Sequence, residues 1–63
     1  MKTILESNRK RVDIRVLEDG GFEVYMLYIT KYDNGMVQED CVDIKRYKSE
    51  KAVLKRANKF MNE

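Results

Sequence analysis

The chain contains no His, no Trp, no Pro and a single Cys among 63 residues. Each absence excludes chemistry. Without His there is no histidine-based catalytic triad and no Cys2His2 zinc finger. One cysteine, Cys41, builds no disulfide framework within the chain. No His is present to activate that thiol, and the neighbouring Glu39, Asp40 and Asp43 disfavour a thiolate. Those three carboxylates match the spacing of no calcium loop. No nucleophile–base constellation remains, so the residues point to a non-enzymatic protein with no cofactor and no metal. The longest uncharged run, Val24 to Thr30, is far too short to span a bilayer, so no membrane partner is expected. Met1 to Arg11 is polar and basic and does not resemble a signal peptide.

What is present suits a small folded domain. Hydrophobic residues make up 43% and charged residues 38%, with a formal net charge of +2. That is enough apolar material for a core. A domain of this size buries only ~60% of the surface of its unfolded chain. Without a disulfide, the reading is a protein of a reducing, cytoplasmic compartment that gains stability by self-association.

Periodicity predicts the elements. Val12, Ile14 and Val16 alternate with Arg11, Asp13 and Arg15, the pattern of a half-buried strand. Gly20 and Gly21 mark a turn. Phe22 to Tyr32 is aromatic and β-branched and reads as a second strand. Asn34-Gly35 suits a tight hairpin. Met36 to Tyr47 reads as a third strand. Ser49 is a helix cap, Glu50 suits the positive end of the helix dipole, and Val53, Leu54, Ala57, Phe60 and Met61 recur at helical spacing. The expected fold is α+β. It is a three-stranded antiparallel meander with one C-terminal helix on one face, a single domain over residues 1–63. Residues 1–10, with only Ile4 and Leu5 apolar, read as a flexible or loosely packed N-terminal arm.

Two-residue loops at Gly20-Gly21 and Asn34-Gly35 fix the expected pairing. Tyr25 then opposes Val16 and Ile44, Leu27 opposes Ile14 and Val42, and Ile29 opposes Val12. That places Val12, Ile14, Val16, Tyr25, Leu27, Ile29, Val42 and Ile44 beneath the helix. The other face presents Val24, Met26 and Tyr28, rimmed by Arg11, Asp13, Arg15, Leu17, Glu39, Cys41, Asp43 and Lys45. A single helix covers one face, so this stripe is the expected partner-binding surface. Its site residues are Arg11, Asp13, Arg15, Val24, Met26, Tyr28, Asp43 and Lys45. The partner is another protein or a second copy of the chain, in a regulatory role. The plainer reading is a solvated face with a greasy middle strand.

Charge is unevenly distributed. Lys45, Arg46, Lys48, Lys51, Lys55, Arg56 and Lys59 outnumber Glu50 and Glu63 in the C-terminal third, whereas acidic residues prevail before it. Lys48, Lys51, Lys55, Arg56 and Lys59 along the outer helix are the alternative site, contacting nucleic-acid phosphates. The segment Tyr47-Lys48-Ser49-Glu50-Lys51-Ala52, continuing to Ala57 and Phe60, resembles the start of the last helix in arm-type DNA-binding domains of phage and transposon tyrosine recombinases. Three strands followed by a helix is also similar to that family. The resemblance implies a sheet that enters the major groove face first, offering Arg11, Arg15 and Lys45. It implies no recombinase activity, because no catalytic domain follows, and it suits a small regulatory or mobile-element protein.

Overall fold

The computed structural model describes all residues, Met1–Glu63. Its elements are β1 (Lys2–Glu6), β2 (Lys10–Val16), β3 (Phe22–Lys31), β4 (Val37–Tyr47) and α1 (Glu50–Met61). All strand pairs are antiparallel and the sheet order is β1-β2-β3-β4, a meander. The fold is α+β, as periodicity predicts, with four strands instead of three.

The additional strand corrects the reading of residues 1–10. β1 is an edge strand in which Leu5 faces Val12, and Ile4 and Leu5 pack against the core. Its pairing rests on backbone hydrogen bonds and on Thr3 Oγ1 donating to Asp13 Oδ1 at 2.7 Å. A short polar strand with an irregularity between Thr3 and Leu5 leaves little periodicity to read.

Both hairpins close through three-residue loops, and this changes the faces. Leu17 N–H donates to Gly21 O at 2.8 Å and Gly20 N–H to Leu17 O at 3.0 Å. In the second turn Tyr32 N–H donates to Met36 O at 2.9 Å and Gly35 N–H to Tyr32 O at 3.0 Å. Gly20 (φ 86°) and Gly35 (φ 87°) take the left-handed conformation of such turns, which other residues adopt only at a cost. Consequently Val12 faces Met26, Ile14 faces Val24 and Val16 faces Phe22. The expected partners, Ile29, Leu27 and Tyr25, lie an odd number of residues away, so strand β3 is inverted relative to the expectation. Between β3 and β4 the longer loop offsets the register by one. An irregularity at Val42 cancels the offset. Tyr25 therefore does face Ile44, whereas Leu27 faces Cys41 and not Val42.

The core beneath α1 is Val12, Val24, Met26, Val53, Ala57 and Phe60, with Ile4, Leu5, Ile14, Phe22, Tyr47 and Met61 packed around it. Val24 and Met26, expected on the open face, are fully buried. Val16, Val42, Ile44 and Leu54, expected in the core, are exposed. The helix ends are as expected: Ser49 Oγ accepts from Ala52 N–H at 3.2 Å, and Glu50 stands in the first turn.

Candidate interaction face

The helix leaves one side of the sheet uncovered. The register brings Arg11, Asp13 and Arg15 of β2, Glu23, Tyr25, Leu27 and Ile29 of β3, and Val37, Glu39, Cys41, Ile44 and Arg46 of β4 to this side. Alternation along each strand puts them there, because side chains two apart share a face.

Charge on the face is organised into two clusters. In the first, Arg11 Nε lies 3.2 Å from Asp13 Oδ1, and its other end reaches Glu39 at 2.8 Å. Asp13 is nearly buried and also accepts from Thr3. In the second, Glu23 is 6% exposed and is held by Arg15 at 2.8 Å and Arg46 at 3.1 Å. The Tyr25 hydroxyl also donates to Glu23. Four donors on one carboxylate favour its charged form. The Tyr25 hydroxyl, then Arg15 and Arg46, hold the Glu23 carboxyl down at about 2. The same hydrogen bond raises the Tyr25 phenol above its ordinary value. Hydrogen bonding to Arg11 likewise lowers the Glu39 carboxyl.

An apolar band runs along β3 on this face, crossed by the Arg11–Glu39 pair and ended by the Glu23 cluster. Tyr25, Leu27 and Ile29 are half-buried. Beside them Val37 is 57% exposed, Ile44 51% and Val42 49%. The band is flat. The clefts near it are shallow and lined largely by polar residues such as Asn8, Arg9, Thr30 and Lys31.

The expected partner-binding residues are divided between two sides. Arg11, Asp13 and Arg15 lie on the open face. Val24 and Met26 are core, and Tyr28 faces the helix, its ring 5.5 Å from that of Phe60. Asp43 and Lys45 are also on the helix side, where Asp43 pairs with Arg56 at 3.4 Å. Sequence reasoning missed Glu23, Tyr25, Leu27, Ile29, Val37, Ile44 and Arg46 as open-face residues. The glycines mark where the turns fall, but their sequences fit loops of two and of three residues, so no sequence signal decided which side of β3 is open.

Among the alternative residues, Lys48, Lys51, Lys55 and Lys59 are exposed and outside every ion pair. Arg56 is instead engaged with Asp43 and, at 3.6 Å, with Glu63. Cys41 is an exposed free thiol. No group of three or more His, Cys, Asp or Glu side chains is placed to hold a metal ion. No helix is long and apolar enough to cross a membrane. Comparison with known proteins finds no matching family model, curated protein or solved structure.

Proposed function

We propose that the protein is a non-catalytic module that binds another protein, or a second copy of itself, through the open face of its sheet. One observation carries this reading: the band Tyr25, Leu27, Ile29, Val37 and Ile44 has no covering element, while the helix is committed to the opposite side. Burying apolar area drives protein association. Of the two charge clusters, one crosses the band through the Arg11–Glu39 pair and the other closes its end at Glu23, and each is paired internally, so a partner meets few unpaired charges. Affinity capture with the parent and with a Leu27→Ser/Ile29→Ser variant tests the reading. A partner retained by the parent and lost by the folded variant supports it. Equal retention overturns it.

A second reading is nucleic-acid binding by the outer helix, favoured by the four unpaired lysines Lys48, Lys51, Lys55 and Lys59. The resemblance to arm-type DNA-binding domains supports it in element order, with a fourth strand added at the edge. Counterion release makes phosphate binding fall steeply with salt, whereas an apolar protein contact changes little. A gel shift on random DNA across salt concentrations separates the two. A steep loss of a DNA complex with salt favours this reading, and the absence of a complex at low salt removes it.

A further inference from the structure

We propose that two copies of the chain join edge to edge through β4, antiparallel, so that Asp40 of each faces Lys45 of the other and Glu39 faces Arg46. The result is a continuous eight-stranded sheet with both helices on one side. The pairing uses an edge and stands apart from the reading of the open face.

β4 is a free edge and the longest strand, Val37–Tyr47. An unpaired edge is a template for another strand, and folds blunt it with bulges or with scattered charges of one sign. β4 has a bulge and charges, but apart from Asp43 the charges are sorted: Glu39 and Asp40 precede Val42, and Lys45 and Arg46 follow it. An antiparallel copy reverses that order and sets acids against bases, and opposite charges directly across a pair of strands attract.

Backbone, side-chain placement and charge are all satisfied by the same register. The first is backbone. Tyr32 N–H donates to Met36 O, and alternation from that pair turns the N–H and C=O groups of Glu39 and Cys41 away from β3. Beyond the bulge the outward groups are those of Ile44 and Arg46. Facing Glu39 with Arg46 and Cys41 with Ile44 joins outward groups to outward groups.

The second is the side on which each residue stands. Asp40 and Lys45 oppose Tyr28 and Val24 and share the helix side. Glu39, Cys41, Ile44 and Arg46 share the open side. In a regular strand residues five apart would stand on opposite sides. The extra residue at Val42 brings Asp40 and Lys45 to the same side, so the bulge that normally spoils an edge here makes the symmetric pairing consistent.

The third is charge. Sliding the copies by two residues in one direction sets Asp40 against Asp43. Sliding them the other way sets Cys41 against Arg46 and Asp40 against Tyr47. Only the register with Asp40 facing Lys45 pairs Glu39, Asp40, Lys45 and Arg46 each with its opposite, and leaves Asp43 opposite Val42. Glu39 is 41% exposed and Arg46 71%, so both retain room for a second partner beside Arg11 and Glu23. Asp43, near the symmetry axis, is already paired with Arg56.

Charge exchange tests the pairing. Sedimentation of the full chain over micromolar to millimolar concentration should show a monomer–dimer equilibrium. Asp40→Lys alone and Lys45→Asp alone each set like charges in contact twice, and each should weaken the dimer by roughly tenfold or more. Mixed together, the two single variants restore both opposite-charge pairs and should form a heterodimer of parental strength. Zero-length cross-linking of the parent should join Asp40 of one copy to Lys45 of an isotope-labelled copy, and this measurement holds should either variant not fold. A parent that stays monomeric throughout overturns the proposal. So does a parental dimer that both single variants retain, or a mixture that does not associate. Leu27→Ser/Ile29→Ser should leave this equilibrium unchanged, so failure of the open-face reading and failure of the edge pairing are distinguishable.

Discussion

The ammonium of Lys10 donates to the carbonyl oxygen of Phe60 at 2.8 Å, tying the first residue of β2 to the last turn of α1. The same nitrogen reaches Glu63 O at 2.7 Å and lies 5.1 Å above the Phe60 ring. A helix C-terminus exposes carbonyls without partners and carries partial negative charge, so a cation there both satisfies and neutralises it. Lys10→Met keeps the apolar stem and removes the donor. It should cost about 1.5–3 kcal/mol, the range for hydrogen bonds to a charged group. Urea unfolding measures the loss, and amide exchange should rise first near Phe60.

Core replacements should follow the inverted β3. Met26 is fully buried against α1, and Met26→Ala should cost on the order of 2–5 kcal/mol through the cavity it opens. Leu27, half-buried on the open face, has solvent into which its site relaxes. Leu27→Ala should cost less than about 1.5 kcal/mol. The order of the two urea midpoints checks the face assignment. Met26→Lys, which buries a charge with no partner, should not fold.

This inversion marks where sequence reasoning stops. The order of the three long strands, the helix with its Ser49 cap, and the buried set Val53, Ala57 and Phe60 were legible, because each rests on local periodicity or capping. Which side of β3 faces the helix was not. Both of its faces are apolar, Val24, Met26 and Tyr28 on one and Tyr25, Leu27 and Ile29 on the other, so periodicity is silent. Turn length had to decide. Glu18-Asp19-Gly20-Gly21 and Asp33-Asn34-Gly35 each accommodate two- and three-residue loops, and a change of one residue in register reverses a strand. The bulge at Val42 then restored part of the β3–β4 register, which no local pattern announces. Arg11, Asp13 and Arg15 were placed correctly because β2 alternates strictly between apolar and charged residues.

The loop glycines should report their left-handed conformation directly. Gly35 has φ 87°, and a methyl group added to its Cα would meet open space, so only backbone conformation resists substitution. Gly35→Ala should cost about 1 kcal/mol, and Gly35→Asn less, since Asn tolerates the left-handed region. Thermal melts of the three proteins should rank Gly, Asn, Ala. Equal stability of Gly35→Ala and parent would contradict the left-handed conformation of Gly35.

Acid stability should depend on Glu23. Its carboxyl titrates at about 2 in the folded protein against an ordinary 4.5, because Tyr25, Arg15 and Arg46 all stabilise the anion. The folded state therefore binds the proton less readily than the unfolded chain. Linkage then makes the contribution of Glu23 complete above the ordinary value and progressively lost as pH falls from about 4.5 toward 2. Glu39, also lowered, by Arg11, adds to the same acid limb. Tyr25 works in the opposite sense. Its phenol is raised, so its share is complete below the ordinary tyrosine range and lost as pH rises through the higher folded value. Urea midpoints of the parent should thus decline on both sides of a neutral plateau. Glu23→Gln should lower that plateau, since Arg15 and Arg46 lose their charged acceptor. It should also flatten the acid limb, leaving the part due to Glu39, and advance the alkaline decline, because Tyr25 then donates to a neutral amide. An acid limb equally steep in Glu23→Gln and parent would assign the acid sensitivity to other carboxylates.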